Sequence, residues 1–344
     1  MKHASEELAL APVATVERLL HVHPSSGTLT DHLLDELPEL LRPGDLLVVN
    51  DAATLPASLS GTGPAGEPLE ARLAGEEPDG SWRVVLFGSG DWRTPTESRP
   101  PPSPVEAGDT LRFGSGMEAR VSRVSGLSPR LVWIRFRAHP KQVWAGLYAA
   151  GRPVQYAYEP LPLSLDRVQT PYAARPWASE MPSAGRALRL PLLARAKSRG
   201  VEIAWLTHAA GLSSTGDPVL DAALPLPERY EIPAATVAAV ASARSGGGRV
   251  IAVGTTVVRA LEGCAWSHGG ELVSGPGLTD LRIGPGHVPQ VVGGLLSGIH
   301  ARDSSHYQLL GAFLPPPLEL LYALHAAAGG YRGHEFGDST LVLG

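Results

Sequence analysis

The segment from residue 57 to residue 143 differs in pattern from the sequence on either side of it. It consists of short runs in which apolar and polar residues alternate, separated by glycine, proline and aspartate. Alternation with a period of two is typical of strands, and this spacing predicts a small antiparallel barrel or sandwich. The proline-rich stretch at 91–109 is expected to be a surface loop without packed structure. The alternating runs are PLEARLAG, SWRVVLFG, DTLRFG, MEARVSRVSG and PRLVWIRFRA.

The flanking sequence has the alternating helices and strands of an α/β protein. A leucine-rich pattern over 28–45 predicts a helix, which is followed by the strand DLLVVN. After residue 144, helical runs alternate with strands such as VEIAWLTH and RVIAVG. We therefore expect an α/β body formed by 1–56 and 144–344, with an all-β domain inserted at 57–143.

Composition bounds the class of protein. The chain has 344 residues, 43% of them hydrophobic, which is enough for a large buried core. No apolar run approaches the length of a membrane span, and the start, MKHASEELALAP, lacks the apolar core of a signal peptide. The single cysteine, Cys264, cannot form an internal disulfide, which favours a reducing compartment. The sequence therefore predicts a cytoplasmic protein.

The charge balance bears on the choice of partner. The net charge is −5 and the isoelectric point is near 6.2. A protein that depends on non-specific phosphate contacts is normally basic. The stretch GRALRLPLLARAKSRG (185–200) concentrates five basic residues, and the solvated face of a helix is its simpler interpretation. The net charge therefore argues against nucleic-acid binding, and it does not exclude binding through a local basic patch.

A glycine between a strand and a helix marks the first candidate binding element. The stretch RVIAVGTTVVRALEG (249–263) predicts a strand, a turn at Gly254 and a helix capped by Thr255 or Thr256. It matches neither the dinucleotide fingerprint nor the P-loop. Free amides at the helix N-terminus would suit a carboxylate or hydroxyl, although a plain capping turn is the alternative. Arg259 and Glu262 have the spacing of an ordinary i,i+3 pair.

Two histidines after apolar strands are candidates for acid–base chemistry. His208 ends VEIAWLT before a loop of small residues, where α/β sheets carry ligand loops. His300 follows an apolar strand and lies three residues before Asp303. A histidine near an acid at a pocket rim can transfer protons near neutral pH. A buried structural histidine, and a helix N-cap at Asp303 or Ser304, are the alternatives.

Other chemistries find no support in the sequence. The histidines show neither the H-E-x-x-H pattern nor a cysteine partner, so we predict no metal site. There is no G-x-S-x-G motif, and Cys264 lies in an apolar helical run. We therefore expect neither a serine nor a cysteine nucleophile.

Six stretches along the whole chain carry a family resemblance. RVIAVGTTVVRALEG is similar, almost residue for residue, to R-V-x-A-V-G-T-T-S-x-R-x-L-E. Together the six, in this order, resemble the S-adenosylmethionine:tRNA ribosyltransferase-isomerases of queuosine biosynthesis. The other five are LLRPGDLLVVNDAATLPASLSG, VQTPYA, MPSAGRAL, GGLLSGIHARDSSHYQLLGAF and YRGHEFGDSTLVL.

The chain departs from the family pattern at several polar positions. Ala53 and Ser58 stand where the family has arginines, and Ala187 stands where it has a histidine. His208 and Gly211 are kept in a loop about two residues longer. Basic and polar groups expected to hold phosphate or the acceptor base are therefore missing.

The resemblance implies a barrel-like α/β body with an inserted small β-barrel, and S-adenosylmethionine as a substrate. Its ribosyl moiety would move to a 7-aminomethyl-7-deazaguanine in tRNA and isomerise to epoxyqueuosine, releasing adenine and methionine. This chemistry needs a base beside the sulfonium, an acid for adenine, and dipoles for the methionine carboxylate. The residues that we expect in catalysis are His300, His208 and Asp303. Those that we expect to bind substrate are Gly254, Thr255, Thr256, Arg259, Glu262, Tyr172, Gln169, Gly185 and Asn50.

Two alternatives to this activity stay open. One is a paralogue that consumes S-adenosylmethionine with a small-molecule acceptor, which the missing arginines and the acidic isoelectric point favour. The other is a non-catalytic member that only binds a ligand. The tRNA remains the default acceptor, although the missing arginines and the acidic isoelectric point weaken the case for it. We expect no metal, no membrane association, and a monomer or weak oligomer.

Overall fold

The computed structural model describes residues 16–302 and 304–344. In these ranges the helices are α1 (Leu37–Leu40), α2 (Pro140–Ala150), α3 (Leu190–Ser198), α4 (Pro218–Ala222), α5 (Ala234–Ser245), α6 (Thr255–Ser267), α7 (Ser305–Leu310) and α8 (Pro316–Ala328). The strands are β1 (Arg18–His23), β2 (Thr28–Leu33), β3 (Leu46–Asn50), β4 (Ala52–Thr54), β5 (Ser58–Thr62), β6 (Pro68–Glu76), β7 (Trp82–Phe87), β8 (Thr110–Phe113), β9 (Glu118–Val124), β10 (Leu131–Phe136), β11 (Arg175–Ala178), β12 (Glu202–His208), β13 (Glu228–Ile232), β14 (Val250–Val253), β15 (Gly275–Thr279), β16 (Gly294–Gly298) and β17 (Ser339–Leu343).

A nine-stranded mixed sheet forms the body of the molecule. Its centre is a run of four parallel strands, because β3 pairs in parallel with both β12 and β14, and β14 pairs in parallel with β16. The carboxyl ends of parallel strands meet at one edge, which is where α/β sheets bind ligands. Asn50, His208 and Gly254 lie at this edge. The strand order is β15-β13-β12-β3-β14-β16-β17-β1-β2.

Helices cover both faces of this sheet. All five residues of β3 are buried, as expected of a parallel strand packed on both sides. Leu46 and Val48 pack in one layer, which includes residues of α5, α6 and α8. Leu47 and Val49 pack in the other layer, which includes residues of α1 and α3. The α/β class predicted from the sequence is therefore confirmed.

The inserted segment is a closed barrel and not a sandwich. Strands β5 to β10 close in the order β10-β7-β6-β5-β8-β9, with antiparallel pairing between neighbours. Alternate residues such as Leu73, Val121 and Ile134 point inward and form a separate core. The predicted alternation of apolar and polar residues thus corresponds to side chains that face the inside and the outside of the barrel in turn. The division of the chain at residues 57 and 143 stays a prediction.

The structure differs from three of the sequence predictions for the elements. Thr28–Leu33 is a strand and not part of a helix, because it pairs antiparallel with β1. The proline-rich stretch is not free of packing, since Arg99 is 2% exposed and its Nη1 lies 2.6 Å from Glu70 Oε2. The resemblance implied a barrel-like body, but among the described residues the nine-stranded sheet of the body does not close on itself. The closed barrel is the one formed by β5 to β10. No helix in the described ranges is long and apolar enough to span a bilayer.

Candidate active site

A cavity of about 580 Å³ lies at the carboxyl edge of the parallel strands. Its wall is built by the turn after β14, the segment after β16, the loop after β12, and the segments that contain Tyr156 and Glu180. Among the residues predicted for the site, those that line it are Gly254, Thr255, Thr256, Arg259 and His300. The sequence motif at 249–263 and the later histidine therefore meet in one cavity.

The N-terminus of α6 faces this cavity. Gly254 is the N-cap, with φ of 93°, a left-handed conformation that glycine adopts without steric cost. The prediction that Thr255 or Thr256 caps the helix is therefore wrong. Thr256 Oγ1 instead lies 3.3 Å from Asn50 Nδ2. The first amides of a helix have no acceptor within the helix and carry a partial positive charge. This turn therefore offers donors to an anionic or hydroxyl group.

Arg259 adds a cation to the same wall. Its Nη1 donates to Glu228, whose other oxygen accepts from the amide of Gly211 at 2.7 Å. Arg259 is 7% exposed, and its Nη2 finds no hydrogen-bond partner among the described residues. A buried guanidinium nitrogen without a partner is costly unless a ligand supplies an acceptor. Arg259 and Glu228 thus line the cavity together, with one guanidinium nitrogen of Arg259 left without an acceptor among the described residues.

Glu262 does not pair with Arg259 and does not line the cavity. It is 1% exposed, and its oxygens accept from the amides of Gln290, Val291 and Val292 at 2.8, 2.9 and 2.9 Å. Residues 259 and 262 are neighbours on α6, but their side chains reach different partners, Glu228 for Arg259 and backbone amides for Glu262. Its carboxylate therefore anchors the chain before β16 and leaves no oxygen for a substrate.

His300 is the predicted histidine that reaches the cavity. Its Nε2 is hydrogen-bonded to Ser297 Oγ at 2.7 Å, and its ring stacks on His306 with centroids 5.1 Å apart. Burial, together with the neighbouring His306 and His334, lowers the pKa of His300 to about 3. The imidazole is therefore neutral at pH 7, so the expectation that it titrates near neutrality is wrong.

His208 lies behind the cavity wall. It is fully buried, and its Nε2 is 3.3 Å from Glu228 Oε2. Burial lowers the pKa of His208 to about 4, with Arg259 acting in the same direction and Glu228 against it. Asn50 holds its backbone, because Asn50 Oδ1 accepts from the His208 amide at 2.9 Å and Nδ2 donates to its carbonyl at 3.0 Å. Both residues support the site without lining it.

Two glutamates that the sequence had not indicated line the cavity beside an aromatic wall. Glu180 accepts hydrogen bonds from the Tyr156 hydroxyl and from the Ser213 amide. Glu335 accepts from the Tyr158 hydroxyl. Tyr158 stacks on His334 with ring centroids 4.0 Å apart. Burial raises the pKa of Glu180 to about 7, although the bonds from Tyr156 and Ser213 act against that rise.

Comparison with known proteins shows the family of the chain. Residues 4–342 match the model of a family described as "Queuosine biosynthesis protein". The chain belongs to this family.

Relatives of the queuosine biosynthesis family are similar over their full length. Proteins named S-adenosylmethionine:tRNA ribosyltransferase-isomerase are 36% identical in Anaeromyxobacter dehalogenans (strain 2CP-C) and 34% identical in Thermosynechococcus vestitus (strain NIES-2133 / IAM M-273 / BP-1). These alignments cover 98% of this chain in both cases, and 95% and 93% of the relatives. A crystal structure of S-adenosylmethionine tRNA ribosyltransferase from Thermotoga maritima matches with a TM-score of 0.51 and 22% identity. That alignment covers 100% of this chain and 99% of the other and shows the same fold.

Three further residues from the motifs of this family lie outside the cavity wall. Gln169 clamps the backbone of Thr54, accepting from its amide at 2.9 Å and donating to its carbonyl at 3.0 Å. Tyr172 packs its hydroxyl against Gly185, where a Cβ would lie 2.1 Å away. The tyrosine rings that line the cavity are therefore those of Tyr156 and Tyr158, and Tyr172 is not among them. Asp303 lies outside the described residues.

The residues missed from the sequence had weak local signals. Glu180 directly precedes the family motif that begins at Met181, and His334 and Glu335 lie in the motif YRGHEFGDSTLVL. Glu228 has no motif around it and becomes visible only through its contacts with Arg259 and Gly211. In the described ranges, no group of three or more histidine, cysteine, aspartate or glutamate side chains is placed to hold a metal ion.

Proposed function

We propose that this protein transfers the ribosyl moiety of S-adenosylmethionine to a 7-aminomethyl-7-deazaguanine in tRNA. The moiety isomerises to epoxyqueuosine, with release of adenine and methionine, in the cytoplasm where tRNA is modified. The observation that carries the proposal is the family match over residues 4–342, whose motifs contribute residues to a large cavity at the carboxyl edge of the parallel strands.

The charges of the cavity suit this substrate. S-adenosylmethionine carries a carboxylate, an ammonium and a sulfonium group. The amides at the start of α6 and the free Nη2 of Arg259 would receive the carboxylate or a ribose hydroxyl. The carboxylates of Glu180 and Glu335 lie on the same cavity wall as the rings of Tyr156 and Tyr158, which suits the cationic groups.

His300 is the residue that we assign to proton removal beside the sulfonium. The sulfonium acidifies the neighbouring C–H bond, so a neutral imidazole is sufficient as the acceptor. Because burial keeps the ring neutral, a nitrogen lone pair is available throughout the physiological pH range. The hydrogen bond to Ser297 orients the ring. His208 would act indirectly, by holding Glu228.

The positions that lack family residues, at Ala53, Ser58 and Ala187, do not line the main cavity. Ser58 donates to Glu70 at 2.8 Å on the outer face of the barrel, where Arg72 and Arg99 already pair with that carboxylate. Ala187 packs against the core formed by α1, α3 and the sheet. Neither position lines the main cavity, so the absence of the family arginine and histidine leaves its wall unchanged.

The experiment that tests the proposal measures adenine and methionine release from S-adenosylmethionine. The protein is incubated with S-adenosylmethionine alone, and with S-adenosylmethionine plus unmodified tRNA, tRNA bearing the aminomethyl-deazaguanine, or that base in isolation. Release only with the modified tRNA supports the proposal. Absence of release from folded protein, or release with the isolated base and not with the tRNA, contradicts it. A salt-dependent affinity for tRNA at low ionic strength is the second requirement.

A further inference from the structure

The proposed acceptor carries a primary amine that is protonated near pH 7, as a lysine side chain is. An ammonium group has no lone pair, so a base must remove a proton before the nitrogen can form a bond to carbon. The residues already assigned leave this step without a base. Arg259 is a cation, and we assign His300 to the carbon beside the sulfonium.

Glu180 has a carboxylate oxygen that is free for this step. Both of its hydrogen bonds, from the Tyr156 hydroxyl and the Ser213 amide, reach Oε1. Among the described residues none donates to Oε2, and Glu180 lines the cavity. The two bonds to Oε1 fix the orientation of the carboxyl group and leave the second oxygen for a ligand.

The wall around Glu180 suits a planar base with a short cationic arm. The rings of Tyr156 and Tyr158 lie 6.0 Å apart, and Tyr158 stacks on His334 at an interplanar angle of 17°. Flat aromatic surfaces of this kind receive a nucleobase by stacking, and their faces attract cations. Glu335, bonded to the Tyr158 hydroxyl, adds a second negative charge beside the arm.

The inserted barrel supports this wall from behind. The guanidinium of Arg72, on β6, lies 5.3 Å from the centre of the Tyr156 ring. Arg72 is 1% exposed and is held by Glu70, with Nε 2.7 Å from Oε1. The orientation of Tyr156, and through it that of Glu180, therefore depends on a buried ion pair of the barrel.

We propose that Glu180 is the base that takes a proton from the primary ammonium of the acceptor. The proton moves from nitrogen to Oε2, so that an ammonium and a carboxylate become a neutral amine and a carboxylic acid. The lone pair freed on nitrogen then forms the new bond to the ribosyl carbon skeleton, and the electron pairs displaced over the reaction leave with adenine and with the methionine sulfur, the two products released. This assignment rests on the proposed function, since it presumes an amine acceptor.

Glu180→Gln removes the base and keeps the shape of the side chain. In the unmodified protein, kcat/KM for adenine release with modified tRNA should fall tenfold per pH unit below about pH 7 and level off above it. Glu180→Gln should be slower by about 10²-fold or more at pH 7. Its rate should keep rising with pH, because only the free amine reacts, while KM for S-adenosylmethionine stays unchanged.

Three further variants separate this role from a structural one. Glu180→Asp should keep the fall of kcat/KM below about pH 7, at a reduced overall rate. Tyr156→Phe should move this fall of kcat/KM to higher pH, because the Tyr156 hydroxyl stabilises the charged carboxylate of Glu180. Glu202→Gln, which changes an exposed glutamate at the far end of β12, is the matched control and should behave as the unmodified protein.

The results that overturn the assignment are distinct from failure of the proposed function. An unchanged rate and pH profile in Glu180→Gln, with the unmodified protein active, overturns the assignment alone. A rate that falls above pH 7 in the unmodified protein assigns Glu180 to the leaving adenine as an acid and also overturns it. No adenine release at any pH by the unmodified protein overturns the proposed function and the assignment together.

Discussion

The carboxylate of Glu262 accepts from three backbone amides, and Glu262→Gln tests whether its role is structural or whether it binds substrate. Oε1 accepts from the amides of Val291 and Val292, and Oε2 accepts from the amide of Gln290. In the better of its two orientations, glutamine keeps the oxygen on the first two amides and turns its NH₂ group toward the third. One buried donor is then left without an acceptor.

The magnitude follows from these three bonds. An unsatisfied buried amide costs about 1–3 kcal/mol. Each of the two remaining bonds loses its charge assistance, which removes about 1 kcal/mol. We therefore expect the free energy of unfolding of Glu262→Gln to fall by about 3–5 kcal/mol.

Urea denaturation followed by tryptophan fluorescence measures this change, with adenine release measured below the unfolding transition. The specific activity of the folded variant should be close to that of the unmodified protein, since Glu262 does not line the cavity. Glu271→Gln, an exposed glutamate just after α6, is the matched control and should change neither property. Unchanged stability with lost turnover would refute the reasoning and return Glu262 to the substrate site.

Three further predictions concern the cavity and its support. Arg259→Lys keeps the charge toward Glu228 but loses the free Nη2, so KM for S-adenosylmethionine should rise about tenfold in steady-state assays of adenine release. Gly254→Ala should lower stability by about 1–3 kcal/mol in the same denaturation assay, because φ of 93° with ψ of 153° is a backbone conformation that only glycine adopts readily. His208 stays neutral in the folded state down to about pH 4 but takes up a proton near pH 6.5 when unfolded. Stability should therefore be complete above pH 6.5 and decline as the pH falls toward 4, by about 3 kcal/mol for this group, and His208→Gln should flatten that decline.

Much of the fold could be predicted because its signals are local. The period of two between residues 57 and 143 predicts strands whatever their partners, and the structure closes them into a barrel. The apolar run of β3 predicts a strand buried on both faces. Thr28–Leu33 was missed because its leucines fit a helical pattern equally well. Its pairing with β1 decides its conformation, and that pairing is not visible in the segment itself.

The candidate site could be predicted only in part, for a related reason. Gly254 and His300 occupy the ends of strands whose local pattern is strong, and both reach the cavity. Arg259 and Glu262 have the spacing of a helical pair, yet each finds a stronger partner elsewhere, in Glu228 and in three backbone amides. Spacing along a helix identifies neighbours on the surface, while buried charges are paired by whatever the fold brings to them.

The sequence by itself determined the strand and helix periods, the turn at Gly254 and the order of six motifs that indicated the family. These properties depend on residues close together in the chain. Only the tertiary structure decided which charged groups share the cavity, because Glu180, Glu228 and Glu335 are brought together by strand order and loop path. It also decided the protonation of Glu180 and His300, since burial raises the pKa of Glu180 and lowers the pKa of His300. Desolvation depends on everything packed around a group, and no segment of sequence carries that information.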